Sequence, residues 1–132
     1  MRLAGEWRAS RFRRVGAADR ERQVAMAFHA YNVTIELLHA LRPVLKRIEA
    51  READLARQLR RAASSTLQNI SEANKRVNRD RANRFRIAGG EAAEVKGSLE
   101  VAVAFEYVER CEVVAALELA DRICAMTFRL SR

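Results

Sequence analysis

Apolar residues in this chain recur at steps of three and four over runs of twenty or more positions, and almost nothing interrupts them. That spacing places side chains on one face of a helix with 3.6 residues per turn. Only one proline and five glycines occur in 132 residues, and no Asn-Gly or Asp-Gly pair separates alternating apolar runs, so no β-hairpin is signalled. The chain has one domain's length and reads as all-α.

Four helices follow from the pattern. Val24, Phe28, Tyr31, Ile35, Leu38 and Leu41 predict an apolar stripe on a first helix over 19–48, with a kink or break near Pro43, because proline lacks the backbone donor and clashes with the preceding turn. Leu55, Leu59, Ala62, Thr66, Ile70, Ala73 and Val77 predict a second helix over 53–77. Asn78 and Arg79 mark its end, and Asp80 is the expected N-cap of a third helix over 80–109, with Phe85, Ala88, Ala92, Val95, Leu99, Ala102 and Phe105 on its face. Val113, Leu117, Ala120, Cys124 and Thr127 make the stripe of a fourth, over 111–130. Short connections between long helices force antiparallel neighbours, so residues 19–132 are expected to form an up-down-up-down four-helix bundle behind a basic arm of residues 1–18. Gly89, Gly90 and Gly97 weaken the third helix by up to ~1 kcal/mol each, which predicts close backbone approach to the small residues Ala62, Ala63, Ser64 and Ser65 on the second.

No run nears the ~18 apolar residues of a membrane span, and no secretory signal opens the chain, so a cytoplasmic protein with no membrane partner is expected. Cys111 and Cys124 lie thirteen positions apart on one helix, about 20 Å. They cannot bridge each other within it and are expected as reduced, packed thiols.

The net charge of +8 is unevenly spread. Residues 42–86 carry thirteen Lys and Arg against five acids, whereas residues 87–132 carry five against eight. A basic block beside an acidic one points to a surface for a polyanion. The candidate contacts are Arg57, Arg60 and Arg61 on the second helix and Lys75, Arg76, Arg79, Arg81, Arg84 and Arg86 around the turn into the third. Few aromatics accompany them, so base stacking and sequence specificity are not encoded. The competing expectation is that arginines such as Arg60 and Arg61 serve subunit contacts, meeting Glu112, Glu118 or Asp121 of the fourth helix.

Two segments carry a family resemblance. Gln58, Arg60, Arg61 and Ala62 precede Asn69, Ile70, Ser71, Glu72 and Ala73, and Ile87, Ala88, Gly90 and Glu94 follow on the third helix. The arrangement resembles the 23S rRNA intervening-sequence (S23) family of four-helix-bundle proteins, with Ser71 and Ala73 where Ala and Gly are usual, Glu91 where Ser is usual, and Glu106-Tyr107 in place of a Gly-Tyr pair. The resemblance spans roughly residues 28–108. It implies a ring-like homopentamer, no established reaction, and, through relatives that serve diversity-generating retroelements, nucleic acid and a reverse transcriptase as partners.

Asn69, Glu72 and Glu94, interleaved with the apolar stripes, are expected to form a buried polar network between the second and third helices, with Gly90 beside it. No nucleophile or cofactor loop accompanies these carboxylates, so no enzyme activity and no cofactor are expected. Glu36 and His39 form an E-x-x-H, but the only other histidine, His29, shares their helix, so no metal site is expected. The functional expectation is a non-enzymatic scaffold that binds nucleic acid, RNA more than DNA. The alternative is a structural or protein-interaction oligomer. The arm holds Trp7, Arg8, Arg11, Phe12, Arg13 and Arg14, and a start at Met26 is the other reading of this region.

Overall fold

The structure is a computed structural model that describes residues 16–132. Most of the arm, residues 1–15, lies outside the described residues, whereas Met26 falls inside a helix. Four helices follow one another: α1 Ala17–Glu49, α2 Ala53–Ala73, α3 Asn78–Ala104 and α4 Arg110–Leu130. α1 packs on α2 and α4, α2 on α3, and α3 on α4, which makes a square bundle with α1 and α3 on one diagonal. No strand occurs among the described residues.

The bounds differ from the sequence expectation at particular places. α1 is not broken at Pro43. The proline and His39, whose carbonyl loses its helical donor, are both exposed, so water replaces the bond, while Leu41, Val44 and Ile48 on the inner face hold the last turns in the core. α1 also takes in Ala17 and Ala18, which the sequence reading gave to the arm. α2 stops at Ala73, four residues early, and Val77, expected in its stripe, is 72% exposed. Asp80 is not a cap: α3 starts at Asn78, whose φ of 57° is tolerated by Asn better than by most residues. Asp80 instead sits in the first turn and pairs with Arg76.

α3 ends at Ala104, not 109, by a specific device. The Tyr107 N–H donates to the Ala102 carbonyl at 2.9 Å and the Glu106 N–H to Val103 at 3.0 Å, which is the Schellman pattern. It requires a left-handed residue, and Glu106 supplies it with φ 59°. The resemblance implied a glycine at this place. At Ala73, by contrast, the backbone is helical and the side chain fully buried, so no glycine turn forms there.

The largest correction concerns which face of α1 is inside. The core takes Ala27, Ala30, Val33, Thr34, Leu37, Leu41, Val44 and Ile48. Of the expected stripe only Leu41 is buried; Val24 is 59% and Phe28 67% exposed, and Tyr31, Ile35 and Leu38 are half-buried. α1 carries two apolar rows side by side, and the row of smaller residues lets α2 and α4 approach closely. On α2 and α3 a single row exists, and the expected residues are buried up to Ala73 and Ala102, although Phe105 is exposed. The glycines of α3 do not face α2. A Cβ on Gly89 would lie 2.9 Å from Thr127 Oγ1 on α4, whereas Gly90 and Gly97 face open space.

Cys111 is exposed, contrary to the packed thiol expected. Cys124 is half-buried with its Sγ 3.8 Å from the Gly89 carbonyl, and burial pushes its thiol pKa up.

Two outcomes are expected from this architecture. Glu106→Gly relieves the left-handed conformation and raises stability by about 1 kcal/mol, read as a shifted urea midpoint at unchanged slope. Iodoacetamide on the native protein modifies Cys111 well before Cys124, as peptide mass spectrometry will show, because Cys124 is shielded and its thiolate disfavoured.

Candidate nucleic-acid interface

The start of α1, the turn between α2 and α3, and the end of α4 meet at one end of the bundle. Residues 17–25, 72–86 and 123–132, which form that end, hold ten Lys and Arg against four acids. The opposite end, residues 42–61 and 96–118, holds nine against eight. The charge of the described residues is therefore polarised along the bundle axis.

Local bonding divides the basic residues of this pole into two groups. Arg81 is structural: its Nη1 donates to the Ala73 carbonyl at the end of α2 at 3.2 Å, and its guanidinium lies 4.9 Å from the Phe85 ring centre. Burial lowers its pKa. Arg84 donates to Asn69 Oδ1 at 3.4 Å and Arg86 to the Ser131 carbonyl at 3.3 Å, which ties α3 to α2 and α4. Arg76 lies between Glu72, at 3.4 Å, and Asp80, at 3.3 Å. Lys75 and Arg79 are exposed and have no ion-pair partner among the described residues.

The nine candidates do not form one patch. Arg57, Arg60 and Arg61 lie toward the start of α2, and from Arg61 to Lys75 is fourteen residues, about 20 Å. Arg57 pairs with Asp54 at 2.7 Å and Arg60 with Glu49 at 3.7 Å, while Arg61 is exposed without a partner among the described residues. Sequence reasoning missed Arg20, Arg129 and Arg132, which the fold brings to the pole from the two distant helix ends. Antiparallel topology was the signal that would have joined them to the turn.

The expected polar network is only partly present. Asn69, 9% exposed, donates to the Ser65 carbonyl at 2.9 Å and receives Arg84. Glu72 and Glu94 are exposed, and Gly90 is exposed with no close neighbour, so none of these three belongs to a buried link between helices. A carboxylate buried between α2 and α3 would need a second buried partner, and Arg84 instead brings its charge to a neutral amide. The acids proposed to meet arginines across subunits are partly engaged within the chain: Glu112 binds Arg47 at 2.6 Å and the Glu109 N–H at 2.7 Å, and Asp121 binds Lys96. Glu36 and His39 are exposed, and no group of three or more metal-ligating side chains gathers among the described residues. No helix of the described residues is long and apolar enough to cross a membrane.

A square bundle of four antiparallel helices with a basic pole defines a class of small helical proteins, and sequence comparison narrows it. The profile of the 23S rRNA-intervening sequence proteins matches residues 26–129, and the chain belongs to that family. It is similar to a crystal structure, at 1.70 Å, of a protein of unknown function from the S23 ribosomal protein family of Bacteroides thetaiotaomicron. The TM-score is 0.71 at 22% identity, over 78% of this chain and 98% of that one, a likeness of fold. No curated protein matches.

The division of the arginines has a measurable consequence. Arg81→Gln removes a helix-end hydrogen bond and a ring contact and lowers stability by about 1–2 kcal/mol. Arg79→Gln leaves stability within about 0.5 kcal/mol. Equilibrium urea denaturation of both variants separates them.

Proposed function

We propose that this protein is a non-enzymatic, cytoplasmic scaffold, a ring-like homopentamer that binds nucleic acid, RNA more readily than DNA, through its basic pole. The observation that carries this reading is the charge polarity of the bundle: ten bases against four acids at one end, with Lys75 and Arg79 unpaired among the described residues. Phosphate recognition needs only mobile cations at a convex, solvated surface, and the exposed turn between α2 and α3 offers that. Repetition of the pole around a ring would multiply weak contacts into useful affinity. The family name, which refers to 23S rRNA, favours RNA. The roles of Arg81, Arg84 and Arg86 in this reading are to hold the turn; Lys75, Arg76 and Arg79 touch phosphate, supported by Arg20 and Arg129.

A second reading, a structural or protein-interaction oligomer, is favoured by the ion pairs of Arg57, Arg60 and Arg76, which already consume part of the block. A reverse transcriptase is one partner that the second reading accommodates.

Titration of nuclease-treated protein against labelled structured RNA, single-stranded RNA and duplex DNA distinguishes them. With about four phosphate contacts, raising salt from ~50 to ~200 mM weakens binding about 100-fold. Lys75→Gln with Arg79→Gln lowers affinity for every sequence alike and flattens the salt dependence. An oligomer that ignores all three nucleic acids at low salt overturns the RNA-binding reading and leaves the second.

A further inference from the structure

The end of the bundle opposite the basic pole carries nearly balanced charge, yet cations and aromatic rings gather at one place on it. α1 brings Lys46 and Arg47 in its last turn, and Arg51 follows just beyond the helix end. The Schellman stop of α3 turns the chain at Glu106 and lays Tyr107 beside them. Lys46, Arg47, Ala50, Arg51 and Tyr107 line an open depression of about 350 Å³, and no acid lines it.

Local bonding decides which of these groups are already committed. Arg47 donates to Glu112 at 2.6 Å and so serves as a wall. The Glu52 carboxylate beside the Tyr107 hydroxyl raises its pKa, and the Arg51 guanidinium lies 5.4 Å from the centre of the Tyr107 ring. Glu49 pairs with Arg60 at 3.7 Å. Glu106 and Glu109 line the adjoining depression, which shares only Arg47 with this one. Lys46 and Arg51 have no ion-pair partner among the described residues. Phe105, 61% exposed, has its ring centre 5.7 Å from that of Tyr107. Two rings and two uncommitted cations thus share one surface, although they come from two distant turns of the chain. Complementing the dipole of α1 accounts for Lys46 and Arg47. It does not account for Arg51 beyond the helix, or for an exposed ring near it.

We infer that this surface binds a nucleotide through two features at once, its phosphate on Lys46 and Arg51 and its base against the rings of Phe105 and Tyr107. An ammonium and a guanidinium suit a phosphate group, and an aromatic ring or an arginine plane is what an unstacked base packs on. A duplex keeps its bases within the stack and offers only half of this chemistry. A free nucleotide and an unpaired residue of an RNA strand both offer all of it, and only the RNA source rests on the proposed function. The site and the Lys75–Arg79 turn stand at opposite ends of the bundle, so mutation separates them.

Tyr31 and Tyr107 are the two tyrosines of the chain, so fluorotyrosine incorporation gives two fluorine resonances, assigned with Tyr31→Phe. The nuclease-treated full chain is titrated with adenosine monophosphate, adenosine, inorganic phosphate and a short single-stranded oligoadenylate. The expected result is a saturable shift at Tyr107 and none at Tyr31, with phosphate or adenosine alone binding at least tenfold more weakly than the nucleotide. Equal affinity for the monophosphate and the strand assigns a free nucleotide as the ligand; a strand at least tenfold tighter assigns an unpaired residue of RNA. Lys46→Gln with Arg51→Gln, both exposed, keeps wild-type helicity by circular dichroism and lowers the affinity at least tenfold, whereas Lys75→Gln with Arg79→Gln leaves it unchanged. A Tyr107 resonance that stays in place with both monophosphate and strand overturns the inference. So does phosphate or adenosine binding within tenfold of the nucleotide, or an unchanged affinity in the Lys46→Gln, Arg51→Gln protein. Salt-sensitive RNA binding at the basic pole survives each of these outcomes, because it is read separately by its loss in the Lys75→Gln, Arg79→Gln protein.

Discussion

Alanine sets the geometry on which everything else in this bundle depends. Eleven of the buried apolar positions are alanines, among them Ala27 and Ala30 on α1, Ala62 and Ala63 on α2, Ala88 and Ala92 on α3, and Ala116 and Ala120 on α4. Such side chains let helix axes come near the lower end of the usual spacing and leave room for only one or two large residues per layer, here Leu37, Leu59, Phe85 and Leu99. An interior lined by these alanines takes Tyr31 only in part and leaves Phe28 outside. The choice of which α1 row goes inside is therefore made by the other three helices and not by the hydrophobicity of α1.

That explains where the sequence was readable. α2 and most of α3 each present one apolar row, so the period names the buried face: Leu55, Leu59 and Ile70, or Phe85, Val95 and Leu99, are inside as the spacing requires. α1 presents two rows, and periodicity ranks the one with larger side chains first, which is the wrong one. Helix ends were the other weak point. The N-caps are Gly16, Glu52, Val77 and Glu109, none of them Ser, Thr, Asp or Asn, so the usual marker of a helix start is missing where helices do start. The stop of α3 rests on a glutamate in a glycine's conformation, which composition cannot reveal.

For the basic surface, the charge block itself was visible in the chain, but its division was not. Whether an arginine is a ligand-binding group or a structural one depends on what lies within reach after folding: a bare carbonyl at the end of α2 captures Arg81, a buried amide captures Arg84, and the end of α4 captures Arg86. The fold also joined charges from three separated stretches into one pole while spreading the nine candidate residues over two places on α2 and the turn. The family resemblance was read from motif residues, and several of these, Glu72, Gly90 and Glu94, turned out to be exposed and outside the core contacts.

The first nine residues of α1 have a different standing from the rest. Residues 17–25 are exposed, and contact with the core begins at Met26 and Ala27, so about 13 Å of this helix has little packing to hold it among the described residues. An isolated helix of that length is marginal in water, and an ion pair between Arg22 and Asp19 adds only a few tenths of a kcal/mol. A helix end held this weakly is expected to fray before the bundle beneath it opens, on the sub-microsecond scale of helix–coil exchange. On such an end, Arg20 and Arg22 would sweep a volume instead of marking a point.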